Sequence, residues 1–117
     1  MIKSIDWQIL LKLTNNKSEL AEELLALFAS ELPALRDGIN ATFDNVDWKE
    51  MKDQVHKLHD SCCYTATPHL KHLSQELEEA LKLGNHETVP LFLERLNSEI
   101  QRVLNAIQQE NYIHDPV

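Results

Sequence analysis

Glycine and proline are scarce in this chain, two and four among 117 residues. That leaves too little turn punctuation for a many-turned β fold. Long apolar runs are also missing. No stretch reaches the roughly eighteen residues a bilayer span needs, and no basic-then-apolar leader is visible. These absences lead us to expect a cytoplasmic domain without direct membrane contact. Cysteine is limited to Cys62 and Cys63, sequence neighbours whose mutual disulfide is sterically disfavoured, and reduced thiols suit the cytosol. Positive charge is outnumbered, 11 basic against 19 acidic residues, for a formal net charge of −8. With no basic stripe interleaved with aromatics, this surface repels a phosphate backbone, and nucleic acid is excluded as an expected partner.

What is plentiful is Leu, Ala, Glu and Lys, all strong helix formers. The length suits one domain spanning 1–117, large enough to need no metal or disulfide staple. Helical periodicity marks a short segment at about 6–13, containing Trp7, Leu10, Leu11 and Leu13. A second helix is expected from Asn16, as N-cap with Glu19 in capping-box position, to about Phe43. Its apolar face reads Leu20, Leu24, Leu27, Phe28, Leu32, Leu35 and Ile39, with a kink expected at Pro33. A third follows a capping box of Asp47 and Glu50, turning Trp48, Met51, Val55, Leu58 and Cys62 to the core. The fourth opens at Thr67-Pro68 and stops at Gly84. The fifth follows Thr88 and Pro90, with Leu93, Leu96, Ile100, Val103, Leu104 and Ile107 as its stripe. Short links between long amphipathic helices imply an all-α, antiparallel up-down four-helix bundle over about 17–110. The short N-terminal helix would cover it, and a frayed tail is expected at 111–117.

The third helix carries the chemical signal. At about 100° per residue, its apolar arc centres between Leu58 and Trp48. His56 then falls roughly 120° away on the solvated flank, and His59 roughly 60° away at the boundary. Lys52, His56 and Asp60 form one exposed i, i+4 ridge. On geometry alone an ordinary surface histidine is the more economical reading of His56.

The stretch His56-Lys57-Leu58-His59-Asp60-Ser61-Cys62-Cys63-Tyr64-Thr65-Ala66-Thr67-Pro68-His69-Leu70 adds a second line of argument. It resembles the signature of histidine-containing phosphotransfer (HPt) domains, most like the C-terminal module of BarA/GacS-type hybrid sensor kinases. Leu58, the Pro68 helix start and the Leu70, Leu73, Leu77 stripe match that pattern, and the similarity runs from about Ser18 to Ile107, including Pro33. The resemblance implies a phosphorelay intermediate. It would accept a phosphoryl group on His56 from a receiver-domain aspartyl phosphate and pass it to a response-regulator receiver. It also implies that Glu78, twenty-two residues on, accepts the Nδ1 hydrogen and aims Nε2 outward.

Three positions depart from the family pattern. Asp60 stands where glycine is usual and brings like charge within one turn of the phosphoryl group. His59 stands where Lys or Arg is usual, and Ala66 replaces a common turn glycine. Lys52 and Lys57 could supply compensating charge.

The implied chemistry needs a nucleophile and a docking surface, here expected as apolar surface near His56 on the second and third helices. The receiver would bring its aspartate, a lysine and Mg²⁺, so this chain is expected to hold no metal, nucleotide or cofactor. It would be a monomeric co-substrate and not an enzyme with its own turnover. Two rivals make different predictions. One is a degenerate HPt that only binds a receiver or kinase. The other is a metal-binding bundle using His56, His59, Asp60, Cys62 and Cys63, or His69 and His72, although His56 faces outward and Cys62 inward.

Overall fold

The computed structural model describes residues 3–109; the expected tail at 111–117 and the last residue of the expected bundle span lie outside the described residues. Five helices follow in order: α1 (Trp7–Leu13), α2 (Ser18–Asp44), α3 (Trp48–Thr65), α4 (Pro68–Lys82) and α5 (Val89–Gln109). Among the described residues there is no strand. Helix α3 packs against α2 and α4, while α5 packs against α4 and closes the ring on α2. With links of only a few residues, consecutive helices run antiparallel, and the expected four-helix bundle with a covering helix is what forms.

The core of that ring is one cluster, including Phe28, Leu32, Ile39, Met51, Val55, Leu58, Leu70, Leu77, Leu96 and Ile100. Burying each such side chain contributes roughly 2 kcal/mol before ordering costs. Asn40 and Asn97 exchange reciprocal amide hydrogen bonds at 3.0 Å, tying α2 to α5. Burial pushes the Cys62 thiol up to about 12, so it sits in the core as a protonated, inert side chain. Cys63 is exposed, and both cysteines are free.

Helix α1 caps one end of the bundle. Its N-cap Asp6 accepts from the Ile9 amide at 3.2 Å, and the Asp6 amide donates to the Ala66 carbonyl at 2.8 Å. Ile5, Leu10, Ala21, Leu25 and Ala66 then form a second small core beneath it.

Three local expectations are corrected. Asn16 is not the cap of α2: Asn15 and Asn16 turn the chain at φ 56° and 62°, and Lys17 stands at the N-cap without a side-chain bond. The left-handed conformation, which asparagine tolerates, reverses the chain after α1 and leaves no extended Asn16 to serve as a cap. The buried phase of α2 is Ala21, Leu25, Phe28, Leu32, Ile39 and Thr42, whereas Leu20 and Leu27 are 41% and 56% exposed. Packing of α1 over Ala21 selects this phase, because a small side chain lets the two helices approach. The capping box of α3 is half formed. Asp47 accepts from the Glu50 amide at 3.2 Å, but the Glu50 carboxylate accepts from Gln54 instead of reaching back. Pro33 leaves α2 a single unbroken helix. Ala66 adopts φ 51° and ψ 50°, which explains why a glycine would suit that turn.

Candidate functional site

Val55, Leu58 and Cys62 lock the rotation of α3 by burying one face, and that orientation leaves His56 on the opposite flank with 55% of its side chain exposed. The ring is not loose. Its Nδ1 lies 2.6 Å from Oε2 of Glu78, whose side chain is only 10% exposed. Glu78 belongs to α4, where Leu77 and Leu81 bury their neighbouring face and hold the carboxylate in the α3–α4 seam. An ionised carboxylate can only accept, so Nδ1 carries the hydrogen, and in the neutral ring Nε2 carries the lone pair. The hydrogen bond therefore sets tautomer and direction together.

The outer nitrogen faces a second carboxylate. Oδ2 of Asp60, one turn on, lies 3.4 Å from Nε2, and Asp60 is 60% exposed. His59 is the third ring neighbour, its centroid 6.4 Å from that of His56. It is 20% exposed, its Nδ1 is 3.9 Å from Asp60 Oδ1, and that nitrogen has no hydrogen-bond partner among the described residues. Lys52 is half-buried and Lys57 exposed. Of the six residues expected at the site, the structure thus gathers His56, Glu78, Asp60 and His59. Lys52 and Lys57 stay on the surface of α3 without a recorded contact to the His56 ring.

The metal-bundle rival finds no geometry: among the described residues no three His, Cys, Asp or Glu side chains converge as a metal site. No described helix is long and apolar enough to cross a membrane. A groove of about 520 Å³, lined in part by His72, Glu76, Glu79 and Phe92, does not include His56.

One polar cluster went unread in the sequence. Glu99 on α5 is fully buried, and its Oε1 lies 3.1 Å from His69 Nδ1 and 3.1 Å from Arg102 Nη1. Its Oε2 has no hydrogen-bond partner among the described residues. The signal was available: Glu99 interrupts the apolar phase of Leu96, Ile100 and Val103, where an acid needs a partner.

Fold and site together define a class: a four-helix bundle that presents, from one long helix, a solvent-facing imidazole held by a carboxylate of the next. The comparisons with known proteins name the class. Residues 23–106 match the Hpt domain family. The histidine-protein kinase BarA of Escherichia coli (strain K12) is 32% identical over 84 residues, covering 72% of this chain and 9% of that protein. The chain thus spans about a tenth of the length of such a relative. The HPT domain crystal structure from a Shewanella hybrid histidine kinase superposes with a TM-score of 0.81 at 31% identity, covering 91% of this chain and 92% of that one. HptB of Pseudomonas aeruginosa PAO1 shares the fold, with a TM-score of 0.83 at 19% identity over 94% and 96% of the two chains. This chain belongs to the Hpt domain family, the histidine phosphotransfer modules that work with receiver domains in phosphorelays.

Proposed function

We propose that His56 is the phosphoacceptor, taking the phosphoryl group of a receiver aspartate on Nε2 and handing it to a second receiver. The observation that carries this reading is the 2.6 Å bond from His56 Nδ1 to the nearly buried Glu78, on a ring that is 55% exposed. It fixes the nucleophilic lone pair on the accessible nitrogen before any partner arrives. In the forward step the Nε2 lone pair forms the N–P bond as the aspartyl O–P bond breaks, returning its electron pair to the carboxylate. No proton has to move. Nδ1 keeps its hydrogen, and Glu78 stabilises the positive charge that phosphorylation leaves on the ring. The receiver supplies its own lysine and Mg²⁺; no cofactor is assigned to this chain.

In this reading the domain is a monomeric co-substrate with no turnover of its own, working on the cytoplasmic side. A phosphorylated receiver domain should label it with acid-labile, alkali-stable phosphate. His56→Gln should remove the label and leave the helical circular dichroism unchanged; label persisting in that variant would assign another histidine. Asp60, 3.4 Å from Nε2, supports a second reading, a binding-only module. Binding of the receiver without label would establish it instead.

A further inference from the structure

The neutral imidazole of His56 has one N–H, and Glu78 holds it at Nδ1. Nε2 consequently points a lone pair toward Asp60 Oδ2, 3.4 Å away, where two acceptors have nothing to share. The i, i+4 spacing on a rigid helix keeps the two side chains neighbours, since both backbones are fixed by the packed face of α3. A phosphoryl group on Nε2 would carry about −1.5 to −2 charges into the space beside that carboxylate. The other charged and titratable groups nearby are Glu78, His59, Lys52 and Lys57. Glu78 is a second carboxylate and serves Nδ1; the His59 ring is 6.4 Å from the His56 ring, and its Nδ1 lies 3.9 Å from Asp60 Oδ1, beyond hydrogen-bond reach. Lys52 and Lys57 form no ion pair or hydrogen bond with His56.

Resting on the phosphoacceptor reading above, we propose that Asp60 biases the domain toward giving up its phosphoryl group. Its carboxylate destabilises phosphorylated His56 relative to the free imidazole, so the transfer equilibrium is displaced toward the partner's aspartate. In the donating step the N–P bond breaks, its electron pair returns to Nε2, and an oxygen of the receiver carboxylate forms the new O–P bond. Charges about 4 Å apart near a solvated surface repel enough to shift such an equilibrium about tenfold, less as salt screens them. Asp60 is thus a residue that sets the poise of the relay, where a glycine would leave the phosphohistidine undisturbed.

A receiver-independent probe tests this. Phosphoramidate donates its phosphoryl group to an imidazole nitrogen and releases ammonia, so a fixed phosphoramidate-to-ammonia ratio sets one driving force for every variant. Site-resolved mass spectrometry under alkaline conditions then reads phosphorylated against free His56. Asp60→Asn and Asp60→Gly should each raise that ratio about tenfold, Asp60→Glu should keep it low, and high salt should narrow the gap. Equal ratios in the parent chain, Asp60→Asn and Asp60→Gly would overturn the role of Asp60 and leave the phosphoacceptor intact. A failure of His56 to take label in all four chains would instead overturn the phosphoacceptor reading, and this inference with it.

Discussion

His56 and His69 each meet a glutamate of the following helix through Nδ1, at 2.6 Å and 3.1 Å, yet the two pairs serve opposite members. In the first, the ring is 55% exposed and the carboxylate 10%. The glutamate serves the histidine, holding its Nδ1 hydrogen and leaving Nε2 on the outside. In the second, the carboxylate is completely buried, while His69 is 31% and Arg102 61% exposed. There the surface groups serve the glutamate, by neutralising an acid placed in the apolar stripe of α5. The same side-chain pairing is a site where the imidazole reaches water and a structural clasp where the carboxylate does not.

The largest separation between the two pairs should appear in phosphotransfer. Glu78→Leu removes the acceptor of Nδ1–H and should slow labelling by a receiver about 10- to 100-fold. Glu78→Gln keeps an amide oxygen there and should lose only a few-fold. Glu99→Leu should leave the rate within about twofold. Equal losses at the two glutamates, measured by quench-flow labelling, would dissolve the distinction.

Stability should show the reverse order. His69→Leu leaves the buried Glu99 carboxylate with Arg102 as its remaining partner and should cost about 2 kcal/mol in urea unfolding. Glu99→Leu removes the buried charge itself, including an unpartnered oxygen, and strands nothing because both partners reach solvent. It should stay within about 1 kcal/mol of the parent chain. His56→Gln, on the exposed flank, should cost under about 0.5 kcal/mol.

An effect that vanishes at neutral pH concerns the neighbouring cysteines, which extend the contrast between core and surface. Burial raises the Cys62 thiol from 9.0 to about 12, so the folded state keeps a proton that the unfolded state loses. Stability from this group is therefore complete below pH 9 and declines as pH rises toward about 12. Cys62→Ala should flatten that alkaline slope in urea titrations across the range, whereas Cys63→Ala should leave it unchanged.

Much of this arrangement was legible before any coordinates. Helix number, the outward flank of His56 and the inward face of α3 follow from the 3.6-residue period, which Met51, Val55, Leu58 and Cys62 display on the third helix. Glu78 was reachable only through the family resemblance, because a helix carboxylate twenty-two residues away has no local signal. The errors had physical sources. In α2, leucines at 20 and 27 outweighed Ala21 in the reading, whereas close packing of α1 favoured the smaller side chain. Asn16 carries the composition of a cap but the backbone of a left-handed turn. The His69–Glu99 pair has no local signal, because its partners lie thirty residues apart on different helices.

The central claim is that Glu78 keeps the hydrogen on Nδ1 of His56 so that Nε2 takes the phosphoryl group. Nitrogen-15 NMR of the phosphorylated, ¹⁵N-histidine-labelled domain reads both atoms at once. The account predicts coupling to phosphorus at Nε2 of His56, with a retained, downfield-shifted Nδ1–H that is lost in Glu78→Leu. Phosphorus coupled to Nδ1, or to any other imidazole, would contradict it.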